Sequence, residues 1–507
     1  MSETPDSSAA AAFRRSALSA VLILSACLFL WNNNFPLGYH GDEAKKVHSV
    51  LTNTQDFKHP LLLLQAIRAA NGLLNLDPEG VALLGRTLTA LYAVLLVAFF
   101  YLLIRDLLPF PYDLLATLAL GTSPILVVHA HYIKEDVLLT MLSVLSLFGL
   151  FRFLKQPSRA HAALLGLVTG LAISAHYKAF LLIGLYAVVP VVARDYSGKF
   201  LRRLLLAAAV AAAAFLVINY PLISQFGTFR QGFLREIQHA ARGQDPRIYP
   251  LDHWLGFHLL YSIIPGMTAA ATIVALGSVA YFLIRRLLSL QEKILVLYFL
   301  LFHAVIEISP LKPAPGFMRY VLPEIPVLIY FAFKGLHALD AASPFPGATI
   351  IARSLVVAVI VAPLQSAVRL DYYLNRDTRA QARRYLADQA QPAIFEWYAG
   401  DRFHVMSVAE IDVEAARQKG VAFLVASSFQ YDRYLYGATL HDQRPAVYEF
   451  AGAYRKLFNS YPYVEFGPAY RSFAFSNPTV RVIDIRKPGE TGTENPATAI
   501  PETTDKR

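Results

Sequence analysis

Charged residues are scarce in this chain of 507 residues. Asp, Glu, Lys and Arg make up only 16% of it, hydrophobic residues make up 55%, and the mean hydropathy is +0.42. Because soluble globular domains carry about 25% charged residues, the composition excludes an ordinary soluble enzyme and indicates a bilayer protein. The net charge of +10 requires no nucleic acid partner, since Lys and Arg anchor cytoplasmic loops beside anionic lipid.

Cysteine is almost absent as well. The single Cys27 excludes an intrachain disulfide and a cysteine-based zinc site. It lies in the stretch LSAC (24–27), which resembles a bacterial lipoprotein cleavage box. The apolar run continues through this stretch and many more runs follow, so we interpret 16–33 as an uncleaved membrane span.

Long apolar runs are abundant, and about eleven of them read as transmembrane helices. Arg14 and Arg15 precede the first run and place the N-terminus in the cytoplasm by the positive-inside rule. The Lys- and Arg-rich loops 152–159, 193–203 and 284–293 then fall on the same side. The predicted spans are 16–33, 81–104, 113–130, 136–154, 161–175, 178–193, 203–220, 256–284, 293–308, 321–338 and 348–368.

The predicted fold class is an α-helical polytopic membrane protein with a small extracytoplasmic α/β domain at its C-terminal end. Helical spacing at 377–389 and strand-like runs at 420–428 and 479–487 indicate that domain. Within the first outer loop, 56–74 reads as a helix along the membrane surface. The predicted parts are a cytoplasmic tail 1–15 (with 1–12 disordered), a transmembrane catalytic domain 16–368 with first outer loop 34–80, a soluble domain 369–487 and a disordered tail 488–507.

The polar residues outside the predicted spans collect on the outer side of the membrane. For any single one, a solvated loop charge is an equally good interpretation. As a group they favour one cleft, because apolar helices bring these loops together at one membrane face and charges at span ends are costly unless solvated or paired. Such a cleft suits an anionic lipid headgroup and a reaction that needs a general base. Its candidate members are Asp42, Glu43, Lys58, His59, Glu135, Asp136, His176, Tyr177, Lys178, Arg319 and Tyr320.

Histidines offer an alternative interpretation, a metal cluster. Two of them form the motif HAH, but residues two apart on a helix point about 200° away from each other. Ordinary interfacial histidines are therefore the favoured interpretation for His40, His48, His59, His129, His131 and His176.

The order of the motifs resembles the GT-C superfamily of glycosyltransferases, and more closely its branch with the protein O-mannosyltransferases and the lipid A aminoarabinose transferase. That branch has an acidic pair in the first outer loop, a Lys- and Pro-containing stretch that opens a surface helix, an acid at the start of span four and a late RY-x-x-P motif. The corresponding stretches are GDEAKK with its acids at 42–43, FKHPL with 58–60, KED with 135–136, RYVLPEIP at 319–326 and DTR at 377–379.

One departure from the family pattern concerns a metal. The aminoarabinose transferase has an acid where this chain has Phe57, and His59 replaces the first proline of its pattern, whereas Pro60 is kept. A metal site built around that acid is therefore not expected. If a divalent ion is used, the candidate ligands are Asp42 and Asp136.

The resemblance implies an inverting glycosyltransferase that moves a sugar, hexose or pentose, from a polyprenyl phosphate to an acceptor hydroxyl on the extracytoplasmic face of the cell membrane. It implies Asp42 as general base, with Glu43 and Asp136 as further catalytic candidates, Asp136 orienting the acceptor. Lys58, then Arg319, would bind the donor phosphate. Further candidate substrate contacts are Tyr39, His59, Glu135 and Tyr320. The acceptor stays open between protein, lipid and polysaccharide.

The main alternative is a transporter or flippase for lipid-linked sugars. Transporters place ionisable residues near the bilayer midplane and show two related halves. The spans of this chain are nearly free of charge and no halves are visible in its sequence, which favours the enzyme. A membrane-anchored scaffold would leave the many spans and their acidic loops unexplained.

Overall fold

The computed structural model describes residues 5–55, 57–242, 255–309, 318–342, 346–400, 404–439, 445–470 and 477–487. The predicted disordered tail 488–507 lies outside these residues, as does most of the outer loop 309–320. Helices dominate the described part, and the strands are confined to its C-terminal region.

The first half of the chain consists of helices joined by short turns. Their starts follow local capping signals: the Asp77 side chain caps one helix ahead of a first-turn proline, and Ser158 and Ser197 cap two others. The helices are α1 Pro5–Leu30, α2 Gly41–Leu51, α3 Leu62–Leu74, α4 Pro78–Ile104, α5 Tyr112–Gly121, α6 Pro124–Ala130, α7 Glu135–Lys155, α8 Arg159–Ala175, α9 Phe180–Ala193 and α10 Gly198–Ile218.

The second half of the membrane region is built in the same way. Ser289 and Glu292 form a reciprocal capping box at the start of one helix. A π-helical turn, Leu259–Ile263, and a 3₁₀ segment, Met318–Glu324, precede two others. The helices are α11 Pro221–Ser224, α12 Phe226–Arg242, α13 Ile264–Met267, α14 Ala269–Ile284, α15 Leu290–Ile308, α16 Ile325–Ala342 and α17 Pro346–Leu374.

The predicted membrane class is confirmed, whereas the number of spans is not. Every predicted span falls on helical residues for most of its length. Among the described residues, six helices are long and apolar enough to cross a membrane, or up to eight if each of two bent pairs counts as one span. The bends are 48° between α5 and α6 and 108° before α14.

One prediction near the N-terminal end was wrong. Residues 5–12 are helical, because α1 starts at Pro5 and continues through an alanine run with high helix propensity. The predicted loop 34–80 contains α2 and α3, and α2 begins at Gly41 inside the acidic motif. The predicted surface helix is α3, which packs against α4 through buried Leu63 and Ile67.

The C-terminal region forms a four-stranded sheet flanked by helices, as predicted. The strand order is β1-β2-β4-β3, with β1 parallel to β2 and the other pairs antiparallel. The apolar run at 420–428 becomes a central strand buried along its whole length. The elements are α18 Thr378–Gln389, β1 Ala393–Phe395, α19 Val413–Gln418, β2 Phe423–Ser427, α20 Ser428–Thr439, α21 Pro445–Ser460, β3 Tyr463–Phe466 and β4 Val480–Asp484.

The DTR motif joins this region to the membrane helices. The Arg379 guanidinium is buried, donates to the Asp377 carboxylate at 2.7 and 2.8 Å, and donates to the Tyr39 carbonyl at 2.7 Å. The Tyr39 ring lies under the guanidinium at 4.0 Å. This joint holds the sheet close to the start of α2, so residues of both regions meet.

Candidate active site

A cleft of about 430 Å³ opens where α2, α7, the turn between α8 and α9, α12 and the C-terminal region meet. Four acids and four cations line it: Asp42, Glu135, Asp136 and Glu236, and Lys58, Lys134, Lys178 and Arg319. The other lining residues are His59, His176, Tyr177, Phe233, Ile237, Tyr320, Trp397 and Tyr398. The structure thus brings most of the predicted polar group into one cavity.

Asp42 is the accessible acid of the sequence motif. It follows the first residue of α2, and its backbone N–H donates to the His40 ring at 3.3 Å. Its carboxylate contacts the buried ammonium of Lys134, yet the Asp42 side chain stays 37% exposed towards the cleft. Burial alone would raise the pKa of Asp42, but Lys134, His40 and Arg319 outweigh it and hold the pKa well below its usual value. The carboxylate is therefore ionised at neutral pH.

Glu43, the neighbouring acid, points away from the cleft. Its side chain is fully buried and forms a two-pronged pair with Arg86, at 2.7 and 3.1 Å. It also accepts the Ile133 N–H at 3.0 Å. Arg86 further donates to the carbonyls of Asn33 and Phe35. These contacts tie α2 to α4, so the geometry gives Glu43 a structural position instead of the predicted catalytic one.

The two acids that open α7 have different partners. Glu135 is paired with Lys46. Asp136 faces Arg319 at 3.6 Å and Lys178 at 3.9 Å, and its Oδ1 accepts no hydrogen bond from the described residues. Asp136 is therefore a cleft carboxylate that faces two cations.

Two cations of the cleft, Lys134 and Lys178, received no role from the sequence. Lys134 is buried and contacts Asp42. The Lys178 ammonium lies 3.8 Å from the centre of the Tyr320 ring and donates no hydrogen bond to the described residues. Their only sequence signal was position, since Lys134 directly precedes the acids of KED and Lys178 follows a predicted span. Lys58, Arg319 and Tyr320 line the cleft as predicted, whereas Tyr39 is 3% exposed beneath Arg379 and does not.

The histidines of the described ranges are not grouped as a metal cluster. The rings of His59 and His176 lie 5.1 Å apart in the cleft, and burial lowers the pKa of both, so they are neutral near pH 7. His131 is buried elsewhere, within hydrogen-bond distance of the carbonyls of Val127 and Trp31. Across the described ranges, no group of three or more His, Cys, Asp or Glu residues is arranged to hold a metal ion.

A divalent ion between Asp42 and Asp136 does not fit this arrangement. The Lys134 ammonium already contacts the Asp42 carboxylate. Lys178 and Arg319 lie on either side of the Asp136 carboxylate. Phe57, where the family pattern has an acid, is buried in an apolar cluster with Leu61. The residues between Asp42 and Asp136 are therefore not suited to hold a metal ion.

Glu307, near the C-terminal end of α15, contacts two histidines. Its carboxylate accepts the His258 N–H at 2.7 Å and lies 3.7 Å from the His303 ring. His303 in turn contacts Glu324 at 2.9 Å. The His258 ring of this group lies 6.5 Å from the Tyr320 ring, and the neighbouring Arg319 lies 3.6 Å from Asp136.

Comparisons with known proteins agree with the predicted resemblance. Residues 58–223 match the model of the family described as dolichyl-phosphate-mannose-protein mannosyltransferase. The structure is similar to ArnT from Cupriavidus metallidurans bound to undecaprenyl phosphate, with a TM-score of 0.55 and 15% identity over 92% of this chain and 97% of ArnT. No curated protein sequence matches the chain significantly.

Two further similar structures are those of an archaeal oligosaccharyltransferase. The Archaeoglobus fulgidus enzyme in complex with Zn and sulfate has a TM-score of 0.53 and 12% identity over 90% of this chain and 72% of its own. The same organism's AglB with an inhibitory peptide and a dolichol-phosphate has a TM-score of 0.51 and 12% identity over 90% of this chain and 74% of AglB. The chain therefore has the GT-C fold, and the resemblance predicted from its motifs is confirmed.

Proposed function

We propose that this protein is an inverting glycosyltransferase that moves a sugar from a polyprenyl phosphate to an acceptor hydroxyl. The observation that carries the proposal is the cleft itself: an exposed, ionised Asp42 and four cations face one cavity at the ends of the membrane helices. The family described as dolichyl-phosphate-mannose-protein mannosyltransferase and the undecaprenyl phosphate bound to the similar ArnT support a donor of this class.

The chemical step requires a base, and Asp42 is placed to be that base. The acceptor oxygen attacks the anomeric carbon and forms the new C–O bond, while its proton passes to the Asp42 carboxylate. The bond from the anomeric carbon to the phosphate oxygen breaks, and its electron pair leaves with the polyprenyl phosphate. Attack opposite the leaving group inverts the configuration. A positioned general base contributes about 10²–10⁴-fold to such a step.

The leaving phosphate gains negative charge as the bond breaks, and nearby cations stabilise it. Lys58 and Arg319 remain our candidates for this role, and Lys178 joins them because its ammonium faces the cleft. Asp136 holds Lys178 and Arg319 close together at 3.9 and 3.6 Å. We infer that Asp136 positions these cations, in addition to or in place of the acceptor.

We place the cleft and the C-terminal region on the extracytoplasmic side, with the N-terminus in the cytoplasm. Lys- and Arg-rich turns such as 152–159 lie at the ends of the helices remote from the cleft. The positive-inside rule assigns those ends to the cytoplasm. A lipid carrier would then present its sugar where nucleotide sugars are scarce.

The test is sugar transfer by the purified protein in detergent, with a panel of polyprenyl-phosphate sugars and membrane extract as acceptor. Transfer from one donor, with inversion at the anomeric carbon, is the expected result. No transfer from any donor, together with lipid-sugar translocation in liposomes, would replace the proposal with the flippase alternative.

Replacing Lys58 with alanine should weaken binding of undecaprenyl phosphate by about 10-fold or more, because a charge-assisted contact contributes about 1.5–3 kcal/mol. Binding is measured by titration in detergent micelles. Lys199→Ala, on an exposed first turn of α10, serves as the control and should leave the affinity unchanged. An unchanged affinity in Lys58→Ala would refute the proposed phosphate contact of Lys58. If Lys178→Met alone loses affinity, the phosphate binds near Asp136 instead.

Replacing Lys134 with methionine should move the acid limb of the pH profile of kcat/KM to higher pH. Lys134 opposes the effect of burial on the pKa of Asp42, so without it burial raises that pKa and the base is protonated at a higher pH. The limb is measured in the transfer assay, with Lys199→Met as the control. An acid limb that stays in place in Lys134→Met would contradict the assignment of that limb to Asp42.

A further inference from the structure

One wall of the cleft comes from the C-terminal region. Trp397 and Tyr398 follow one residue after the end of β1, and both line the cleft. Their rings stack with centroids 4.5 Å apart and an interplanar angle of 21°. The cavity around Asp42 is therefore completed by two aromatic residues that lie more than 350 positions later in the chain.

The Trp397 ring lies against the start of α2. A Cβ added to Gly41 would be 2.2 Å from Nε1 and 2.6 Å from Cε2 of the Trp397 ring, so only glycine fits there without displacing the indole. Since Gly41 precedes Asp42, the indole lies beside the proposed base. The Lys45 ammonium, one turn along α2, is 5.8 Å from the centre of the same ring.

Glu396 anchors this aromatic pair in the core of the sheet. Its fully buried carboxylate accepts the N–H of Ser427 at 2.5 Å, the N–H of Val408 at 3.1 Å and the hydroxyl of Tyr454 at 2.7 Å. Burial raises the pKa of Glu396 to about 8, with these donors acting in the opposite direction. Tyr398 has a φ of +68°, a conformation that a non-glycine residue keeps only when its surroundings enforce it. The pair is therefore held rigidly.

The position of the pair relative to the charges identifies the substrate that it meets. In an inverting transfer the acceptor oxygen and the leaving phosphate lie on opposite sides of the anomeric carbon. The Trp397 ring adjoins Gly41 and so lies beside the proposed base, Asp42. The acceptor, whose hydroxyl must reach Asp42, therefore enters along Trp397.

We propose that Trp397, supported by the buried Tyr398, forms the acceptor subsite and that the acceptor group it binds is a sugar ring. This inference rests on the proposed function. Tyr398 is only 5% exposed and stacks on Trp397, so the indole is the ring that presents a flat apolar surface to one face of a pyranose, while Asp42 and Lys45 at its edge match hydroxyl groups. A serine or threonine side chain offers little surface to an indole ring, and a lipid chain does not suit a cavity with eight charged residues.

The test uses Trp397 as its own reporter. The chain has three tryptophans, Trp31, Trp254 and Trp397, so the double variant Trp31→Phe, Trp254→Phe leaves only the cleft residue. This protein is saturated with undecaprenyl phosphate and titrated with methyl glycosides of common hexoses, and separately with N-acetylserine amide. We expect a saturable change in tryptophan emission with at least one glycoside and none with the serine compound.

Gly41→Ala in the same background provides the steric control. The new methyl group displaces the indole, so glycoside affinity should fall by about 10-fold, the value of roughly one good aromatic contact. Gly72→Ala in α3, where an added Cβ has no neighbour within 4 Å, should keep the affinity. If Gly41→Ala does not fold, Trp397→Ala takes its place. Its stabilisation by the glycoside is measured by thermal unfolding and should be smaller than that of the protein that retains Trp397.

Binding of undecaprenyl phosphate is recorded in the same samples by its effect on thermal unfolding. Binding of the phosphate without any response of Trp397 to glycosides would overturn the acceptor subsite alone. A response to the serine compound instead would overturn the sugar as its ligand, and a response to undecaprenyl phosphate alone would assign the pair to the donor. Failure of undecaprenyl phosphate to bind at all would count against the proposed function.

Discussion

Replacing Asp42 with asparagine should lower the rate of sugar transfer by about 10²–10⁴-fold, the contribution of a positioned general base. Asparagine keeps the size of the side chain and a contact for Lys134 but cannot take the acceptor proton. The affinity for undecaprenyl phosphate should change little, because we propose that the cations of the cleft bind the phosphate. Turnover is measured in the transfer assay and affinity by titration of the same preparation.

The control for this variant is Asp106→Asn. Asp106 is 74% exposed, follows α4 and does not line the cleft, so removing its charge should leave transfer unchanged. An Asp42→Asn protein with full activity would eliminate Asp42 as the base. A variant that loses donor binding as well as turnover would instead make Asp42 part of the donor site.

Replacing Glu43 with glutamine should destabilise the folded protein by about 3–5 kcal/mol, because it leaves the buried Arg86 charge without its partner. Both side chains of the pair are at most 2% exposed. Arg86 also lies 3.6 Å over the Phe35 ring, so the loss would loosen the junction of α1, α2 and α4. The free energy of unfolding is measured in detergent, with activity expressed per folded molecule.

Asp106→Asn is again the matched control. Its partner Arg105 is 3.8 Å away and 42% exposed, and such surface pairs contribute about 1 kcal/mol or less. Glu43→Gln should therefore differ from it by several kcal/mol while the surviving folded fraction keeps its activity. Loss of turnover at unchanged stability would show that Glu43 takes part in the reaction.

The two neighbouring acids are thus expected to have opposite phenotypes. Consecutive residues on an α-helix point about 100° apart, so α2 directs Asp42 into the cleft and Glu43 into the core. Loss of activity without loss of stability in Asp42→Asn, and loss of stability without loss of activity in Glu43→Gln, would confirm this division. Equal effects in both variants would contradict it.

The sequence by itself determined the membrane class, the order of the helices and the motifs that meet in the cleft. These follow from local properties: apolar length sets a span, and polar residues at span ends stay at the membrane face. Lys58, Asp136 and Arg319 were found in this way, as were β2 and the helix 378–389. The number and bounds of the spans could not be predicted exactly, because a bend such as the one between α5 and α6 does not change the hydropathy of the segment.

Tertiary structure alone decided which charges pair and which stay available to a substrate. The sequence placed Glu43 beside the general base Asp42 among the catalytic candidates, because their motif read as a loop. The helix α2, which directs the two side chains apart, is stabilised by contacts with α4. The roles of Lys134 and Lys178 depend on the carboxylates that lie beside them, Asp42 and Asp136. Trp397 and Tyr398 reach the cleft through the joint of Arg379 with Asp377 and Tyr39. Such contacts join residues hundreds of positions apart, and neither periodicity nor local propensity carries information about them.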